Sequence, residues 1–306
     1  MELNLFGYDI KIAKRYSIEN KQPKIYNKDG QLLETYFIKN HHSQHAPYGY
    51  EGNYFFWDRY NYCLDTHFYG AVEMPHTIGT PKIKYGMLTE SRIIVPKEYE
   101  VFNRYKGIEN EFKYIFSYDE KILNDIHNAK FYPIAAGLWN KSINSELWKN
   151  KSKDISMLCS GKVMCPLHQF RLDLARVCRD EKMADTYGRF DGGSFVETVD
   201  ETLDDYRFSI VIENDISDYY FSERLTSCFA SQTIPVYLGA RKISDFFNED
   251  GIIFLNELDI AKAKEILKNC NREYYESHLD AVKDNYIRSM EYKNMQDYLY
   301  VNYLKQ

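Results

Sequence analysis

The sequence predicts an α/β protein in which the second half forms a parallel sheet layered with helices. Three observations carry this. From residue 155 onward, apolar runs of strand length alternate with helix-spaced runs, the pattern of βαβ units. The loops between them are short, so each crossover must fold back onto the same sheet. The chain has 306 residues, which suits two domains of about 150 residues each.

Taken in order, the first half is Tyr-rich and irregular, with two stretches that stand out, residues 53–70 (NYFFWDRYNYCLDTHFYG) and 82–96 (KIKYGMLTESRIIVP). In the latter, YGML and RIIV read as two short strands around a polar turn. Residues 112–123 run from a strand into a helix start, and 129–137 form another short strand. The polar stretch 140–154 lacks the alternation of a buried strand and reads as a linker. It divides the chain into units 1–148 and 149–306.

The second unit is regular. ISMLCS (155–160) reads as a buried strand, and Leu167, Phe170, Leu174 and Val177 fall at helical spacing. FSIVIEN (208–214) is a strand, SERLTSCFAS (222–231) a helix and IPVYLG (234–239) a strand. ISDFF (243–247) is a short helix and GIIFL (251–255) a further strand. The tail from Leu258 is helical, with Ala263, Ile266 and Leu267 on one face.

Composition excludes several classes. With 39 Lys+Arg against 45 Asp+Glu, the net charge of -6 argues against non-specific nucleic-acid or anionic-membrane binding. Any phosphate must be held by a local cluster of cations. No apolar run approaches the ~18 residues of a membrane span, and the start lacks the apolar core of a secretory signal. Six cysteines without a CxxC pair read as reduced, buried thiols. The expected compartment is the cytoplasm, with at most peripheral contact at the inner face of the membrane.

Motifs narrow the chemistry. There is no G-x-G-x-x-G, no P-loop and no H-E-x-x-H, and RFDGGSF (189–195) is a poor phosphate loop. Asp-x-Asp, which would hold a divalent ion against a sugar nucleotide, does not occur, so no metal or other cofactor is expected. His41, His42 and His45 lie in a polar loop without a Cys or Glu at ligand spacing and read as solvated. The informative segment is 206–240. A buried strand ends in Glu213-Asn214, and a helix opens at Ser222-Glu223-Arg224. Strand ends and helix N-termini form the ligand side of an open sheet. An Arg in a first turn opposes the helix dipole unless an anion binds there; a surface pairing of Arg224 with Glu223 or Asp218 is the competing reading.

Glu213-Asn214, Tyr220, Ser222-Glu223-Arg224 and the Ile234–Gly239 strand together resemble the donor signature of family 10 glycosyltransferases, the α1,3/α1,4-fucosyltransferases. The likeness continues through residues 240–257, and upstream in ISMLCSGK and HQFR. It implies a GT-B-like fold, two Rossmann-like domains facing a cleft, with C-terminal helices. It also implies inverting transfer from a nucleoside-diphosphate sugar, GDP-fucose first, onto a glycan or lipid-linked glycan of a surface polysaccharide. Tyr220 and Glu223 would contact the nucleoside, Glu223 on the ribose. Arg224, where the family has Lys, and Arg171 would clamp the diphosphate, with Arg176 and Lys162 as competitors for the second place. Glu90, in LTES, would be the base, with Asp58, Asp65 and His67 as alternatives. Trp57, Tyr60 and Tyr62 are candidates for the acceptor site and equally for the core. Another nucleotide sugar (GDP-heptose or a UDP-sugar), or a catalytically idle sugar-binding protein of the same fold, are the alternative readings.

Overall fold

The computed structural model describes residues 2–5, 8–11, 25–41, 52–135 and 137–305. A short antiparallel hairpin, β1 (Glu2–Leu5) and β2 (Tyr8–Lys11), comes first. The first large sheet contains β3 (Glu34–Lys39), β4 (Phe55–Asp58), β5 (Thr66–Gly70), β6 (Ile83–Met87), β7 (Tyr114–Ser117) and β8 (Ala129–Phe131). Its order is β4-β3-β5-β6-β7-β8, parallel throughout.

Period-2 alternation explains its aromatic content. Ile38, Phe55, Trp57, Phe68, Tyr85, Met87 and Phe116 turn to one face; Phe37, Tyr69 and Ile115 turn to the other. On the first face rings touch from strand to strand: Tyr36–Phe55 at 4.7 Å, Phe68–Tyr85 at 4.8 Å and Tyr85–Phe116 at 5.7 Å between centroids. Each fully buried ring contributes roughly 1.5–3 kcal/mol by transfer from water.

The second sheet contains β9 (Lys153–Leu158), β10 (Asp185–Tyr187), β11 (Tyr206–Ile212), β12 (Ile234–Leu238) and β13 (Ile253–Phe254). Its order is β10-β9-β11-β12-β13, again parallel. All seven residues of β11 are buried, as expected of a central strand covered on both faces. Helix Pro166–Asp180 follows β9, and helix Glu223–Ala230 connects β11 to β12. Two layered α/β sheets facing one another make the GT-B-type architecture that the resemblance implies.

Two details differ from the sequence reading. RIIV (92–95) is not a strand: Ile94 and Val95 both donate their backbone N–H to Ser91 O, so the chain turns as it leaves β6. Arg92 is held by Asp119 through Nε and Nη2 at 2.6 and 2.7 Å, and Pro96 ends the segment. The strands β3, β4 and β5 have no counterpart in that reading at all. The C-terminal turns Met295–Leu299 and Tyr300–Leu304 leave the second sheet and lie on the first. Tyr303 reaches the Phe116 ring at 5.2 Å and Tyr298 the Tyr132 ring at 5.8 Å. One apolar cluster therefore runs continuously from the first sheet through Leu225, Phe229 and Tyr237 to Tyr292 and Leu299.

Candidate active site

In the second sheet the chain goes from β9 outward to β10, then returns to place β11 on the other side of β9. Loops leaving β9 and β11 therefore diverge, opening a crevice at their carboxyl ends, where open α/β sheets bind ligands. The β11 exit carries Glu213 and Asn214; the helix after β9 carries His168 and Arg171. In the first sheet, β6 ends toward the same region, and Thr89 and Glu90 follow it. A cleft of about 200 Å³ joins the two, lined among others by Glu90, Asn214, Tyr220, Ser222, Glu223 and Arg224.

Helix Glu223–Ala230 opens on this cleft. Ser222 caps it, its Oγ accepting from Arg224 N at 3.4 Å. Glu213 is fully buried behind the cap and accepts from Ser222 N at 2.8 Å and Ser222 Oγ at 2.6 Å. Burial pushes its carboxyl up, while Arg224 and the Ser222 bonds pull the other way. Glu213 thus does not line the cleft; it fixes the helix start. Arg224 Nη1 lies 3.8 Å from Glu213 and 3.3 Å from Ser222 Oγ. Its guanidinium sits 5.5 Å over the Trp139 ring, and Trp139 N donates to Ser227 Oγ at 2.9 Å.

Arg171 is 3% exposed. Nη1 donates to Ile212 O at 3.2 Å, whereas its buried Nε has no hydrogen-bond partner. Burial, and then the like charge of Arg224, lower its affinity for a proton. It lines a small cavity of about 20 Å³ together with Arg224 and Trp139. Two guanidiniums held this close, one with an orphaned donor, suit a multiply charged anion. The other two cations of the sequence reading sit apart. Arg176 is engaged by Asp191 at 3.0 Å and Asp173 at 3.3 Å, and Lys162 is exposed.

Glu90 faces these cations across the cleft. Its Oε1 accepts from Ser91 N at 2.6 Å, and Tyr99 OH donates to its carbonyl O at 2.7 Å. Arg92 N donates to Tyr118 OH at 2.8 Å, and the Tyr118 ring packs edge-on against Tyr220 at 5.1 Å. The loop of Glu90 is therefore braced against the segment that carries the donor signature.

The alternative bases lie elsewhere. Asp65 and His67 are at the amino end of β5, opposite the cleft. Asp65 pairs with Lys82 at 2.8 Å. His67 is buried, its Nδ1 is 2.7 Å from Tyr69 OH, and burial pushes its pKa down to about 4. Asp58 caps a turn by accepting from Tyr60 N and Asn61 N. Trp57 is core, Tyr60 is exposed, and Tyr62 packs beside the second apolar face of the sheet. His41 lies 3.5 Å from Glu73 and 3.1 Å from Glu98; His42 and His45 fall outside the described residues. Among the described residues no group of three or more His, Cys, Asp or Glu is placed to hold a metal ion. The six cysteines are free, five of them buried and Cys63 exposed. No described helix is long and apolar enough to cross a membrane.

Two cleft features escaped the sequence. Trp139 falls between the strand read over 129–137 and the polar stretch 140–154, where no motif marks it. His168 is part of HQFR, yet its contact to Asn214 spans 46 positions.

Residues 148–298 match the model of glycosyltransferase family 10 (fucosyltransferase), C-terminal part. The chain carries the family 10 glycosyltransferase domain. The glycosyltransferase also shares its fold with an α1,3-fucosyltransferase solved with GDP. The two are 14% identical, 89% of this chain and 93% of that chain align, and the TM-score is 0.51. A structure of α1,3-fucosyltransferase with GDP-fucose is 15% identical over 88% and 84% of the two chains, with a TM-score of 0.45. TarM is 13% identical over 79% and 55%, with a TM-score of 0.49. No curated protein matches. Within this family domain fall Arg171 and the whole segment from Glu213 to Arg224; Glu90 and Trp139 precede it.

Proposed function

We propose that this glycosyltransferase moves fucose from GDP-fucose to a hydroxyl of a glycan or lipid-linked glycan acceptor, with inversion at the anomeric carbon. The unit 1–148 takes the acceptor and the unit 149–306 holds the donor. The work is done in the cytoplasm, at most in peripheral contact with the membrane, for a surface polysaccharide or lipopolysaccharide. The observation that carries the reading is the cleft itself, with one carboxylate on the first sheet's side and two guanidiniums on the second's.

In this mechanism Arg224 and Arg171 take the diphosphate, Tyr220 and Glu223 contact the nucleoside, and Asn214 and Ser222 border it. The acceptor oxygen attacks the anomeric carbon in line. The bond from that carbon to the phosphate oxygen breaks with its electron pair going to the diphosphate, and the acceptor proton passes to Glu90. The arginines stabilise the leaving charge in place of a metal ion. GDP is favoured because the family's model is that of fucosyltransferases and because the fold-mate above was solved with GDP. The idle-protein reading is disfavoured, since a buried Arg171 with an orphaned Nε costs stability unless a ligand offsets it.

A binding screen against GDP, UDP, CDP, TDP and NAD without added metal tests this. A selective GDP response followed by fucosyl transfer to an acceptor glycan is expected. A selective UDP response would remove fucose as the donor sugar, and silence toward every diphosphate would remove the enzyme reading.

A further inference from the structure

His168 lies in the first turn of helix Pro166–Asp180 and is only 5% exposed. It is none of the residues placed in the mechanism above, yet both of its ring nitrogens have partners. The Met164 backbone N–H can only donate, and it meets Nδ1 at 3.1 Å. Nδ1 is therefore an acceptor, the ring is neutral, and Nε2 carries the proton. Nε2 lies 2.7 Å from Oδ1 of Asn214, so that atom of Asn214 must accept. The amide orientation thus follows from a backbone N–H, whose polarity is fixed, rather than from a free choice between oxygen and nitrogen. With its oxygen turned to His168, Asn214 keeps its –NH2 for the cleft that it lines.

We infer that His168 is a positioning residue that turns the Asn214 amide so that its N–H donors meet an oxygen of the donor's diphosphate. The inference rests on the donor-site reading above. It adds a neutral, directional donor to a site otherwise served by charge, and it makes that donor depend on the protonation of one imidazole. A proton on Nδ1 would set two donors, Nδ1–H and Met164 N–H, against each other. Burial opposes that proton, as do Arg171 on the same helix and Arg224 on the facing one. The bond to Asn214 and the Glu90 carboxylate across the cleft favour it. Acid therefore breaks the arrangement only below the ordinary imidazole range.

GDP titrated calorimetrically into the full chain between pH 8 and pH 5 is the test. At pH 8, His168→Ala weakens GDP binding about tenfold, the worth of one well-placed hydrogen bond. His168→Gln, whose side-chain amide nitrogen can donate to the same Asn214 oxygen, stays within about threefold of wild type. The wild type loses further affinity as pH falls below the ordinary imidazole range toward 5, and the Gln variant lacks that added loss, while the nucleotide's own titration is common to both. Thermal melting accompanies each variant, and the Gln variant decides the matter if the Ala variant does not fold. Equal weakening by Ala and Gln at pH 8, or the same low-pH loss in wild type and Gln, overturns the positioning role while leaving the donor site intact. Wild-type protein that binds no GDP at pH 8 overturns the donor-site reading and this inference with it.

Discussion

Replacing Arg171 by Met separates holding a ligand from holding the fold. In the free protein the buried guanidinium bonds to Ile212 O at 3.2 Å and to the Cys159 thiol, with the like charge of Arg224 and the Glu213 carboxylate nearby. A charge buried without a full set of partners carries a desolvation cost of several kcal/mol, which an apolar side chain of similar volume removes. Against this stands about 1–3 kcal/mol for the Ile212 carbonyl left without its donor. The ligand-free melting temperature should therefore move little, or rise. Binding should suffer: a charge-assisted hydrogen bond is worth about 1.5–3 kcal/mol, which is a loss of roughly 12- to 150-fold in affinity. At a GDP concentration about 100 times the wild-type Kd, the ligand stabilises wild type by about 2.7 kcal/mol. The same concentration should stabilise Arg171→Met by only about 0.3–1.3 kcal/mol. Thermal unfolding with and without GDP reads both quantities. A variant that melts far below wild type yet keeps the full GDP shift would refute the reasoning and make Arg171 a structural brace of β11.

Glu90→Gln keeps the shape of the side chain and removes the base; GDP binding should stay within about twofold, while transfer, followed by release of GDP, falls about 10²- to 10⁴-fold, and an unchanged rate would reject the assignment. Lys151 offers a test of stability alone. It is buried with Nζ donating to Leu203 O, Ser231 O and Thr233 Oγ1, and burial pushes its pKa down to about 7. Between that value and the unfolded value of about 10.4, the unfolded chain binds more protons. Wild-type stability should consequently rise with pH across the window, by at most about 1.4 kcal/mol per unit. Lys151→Met should lack this component. Denaturant unfolding of both proteins at pH 7 and pH 9 checks it, and parallel slopes would show that Lys151 is not neutral in the folded state.

The parallel layer of β9 to β13 was legible because each element announces itself over a few neighbouring residues. β11 is seven consecutive buried residues, and Ser222 caps its helix from the adjacent position. The first sheet was opaque for a physical reason. Its strands are three to six residues long and built on Tyr, Phe and Trp, so half-buried and fully buried positions carry the same residue types. What sorts them is the ring-to-ring contact between strands, which no local window contains. Ile93 and Val95 resemble strand residues for the opposite reason: they are apolar but lie in a turn pinned by Ser91 and by the Arg92–Asp119 pair. The site divides the same way. Glu213, Tyr220, Glu223 and Arg224 lie within twelve residues and could be read as a motif. Trp139 meets Arg224 across 85 positions, a contact visible only after folding.

The return of Met295–Leu299 and Tyr300–Leu304 to the first sheet has a consequence for synthesis. The aromatic rows on Phe116 and Tyr132 are covered by Tyr303 and Tyr298, residues translated after the whole second sheet. On the ribosome, then, the first-made half must wait with this face uncovered until those turns are made. The core of the half translated first is thus completed by side chains from the half translated second.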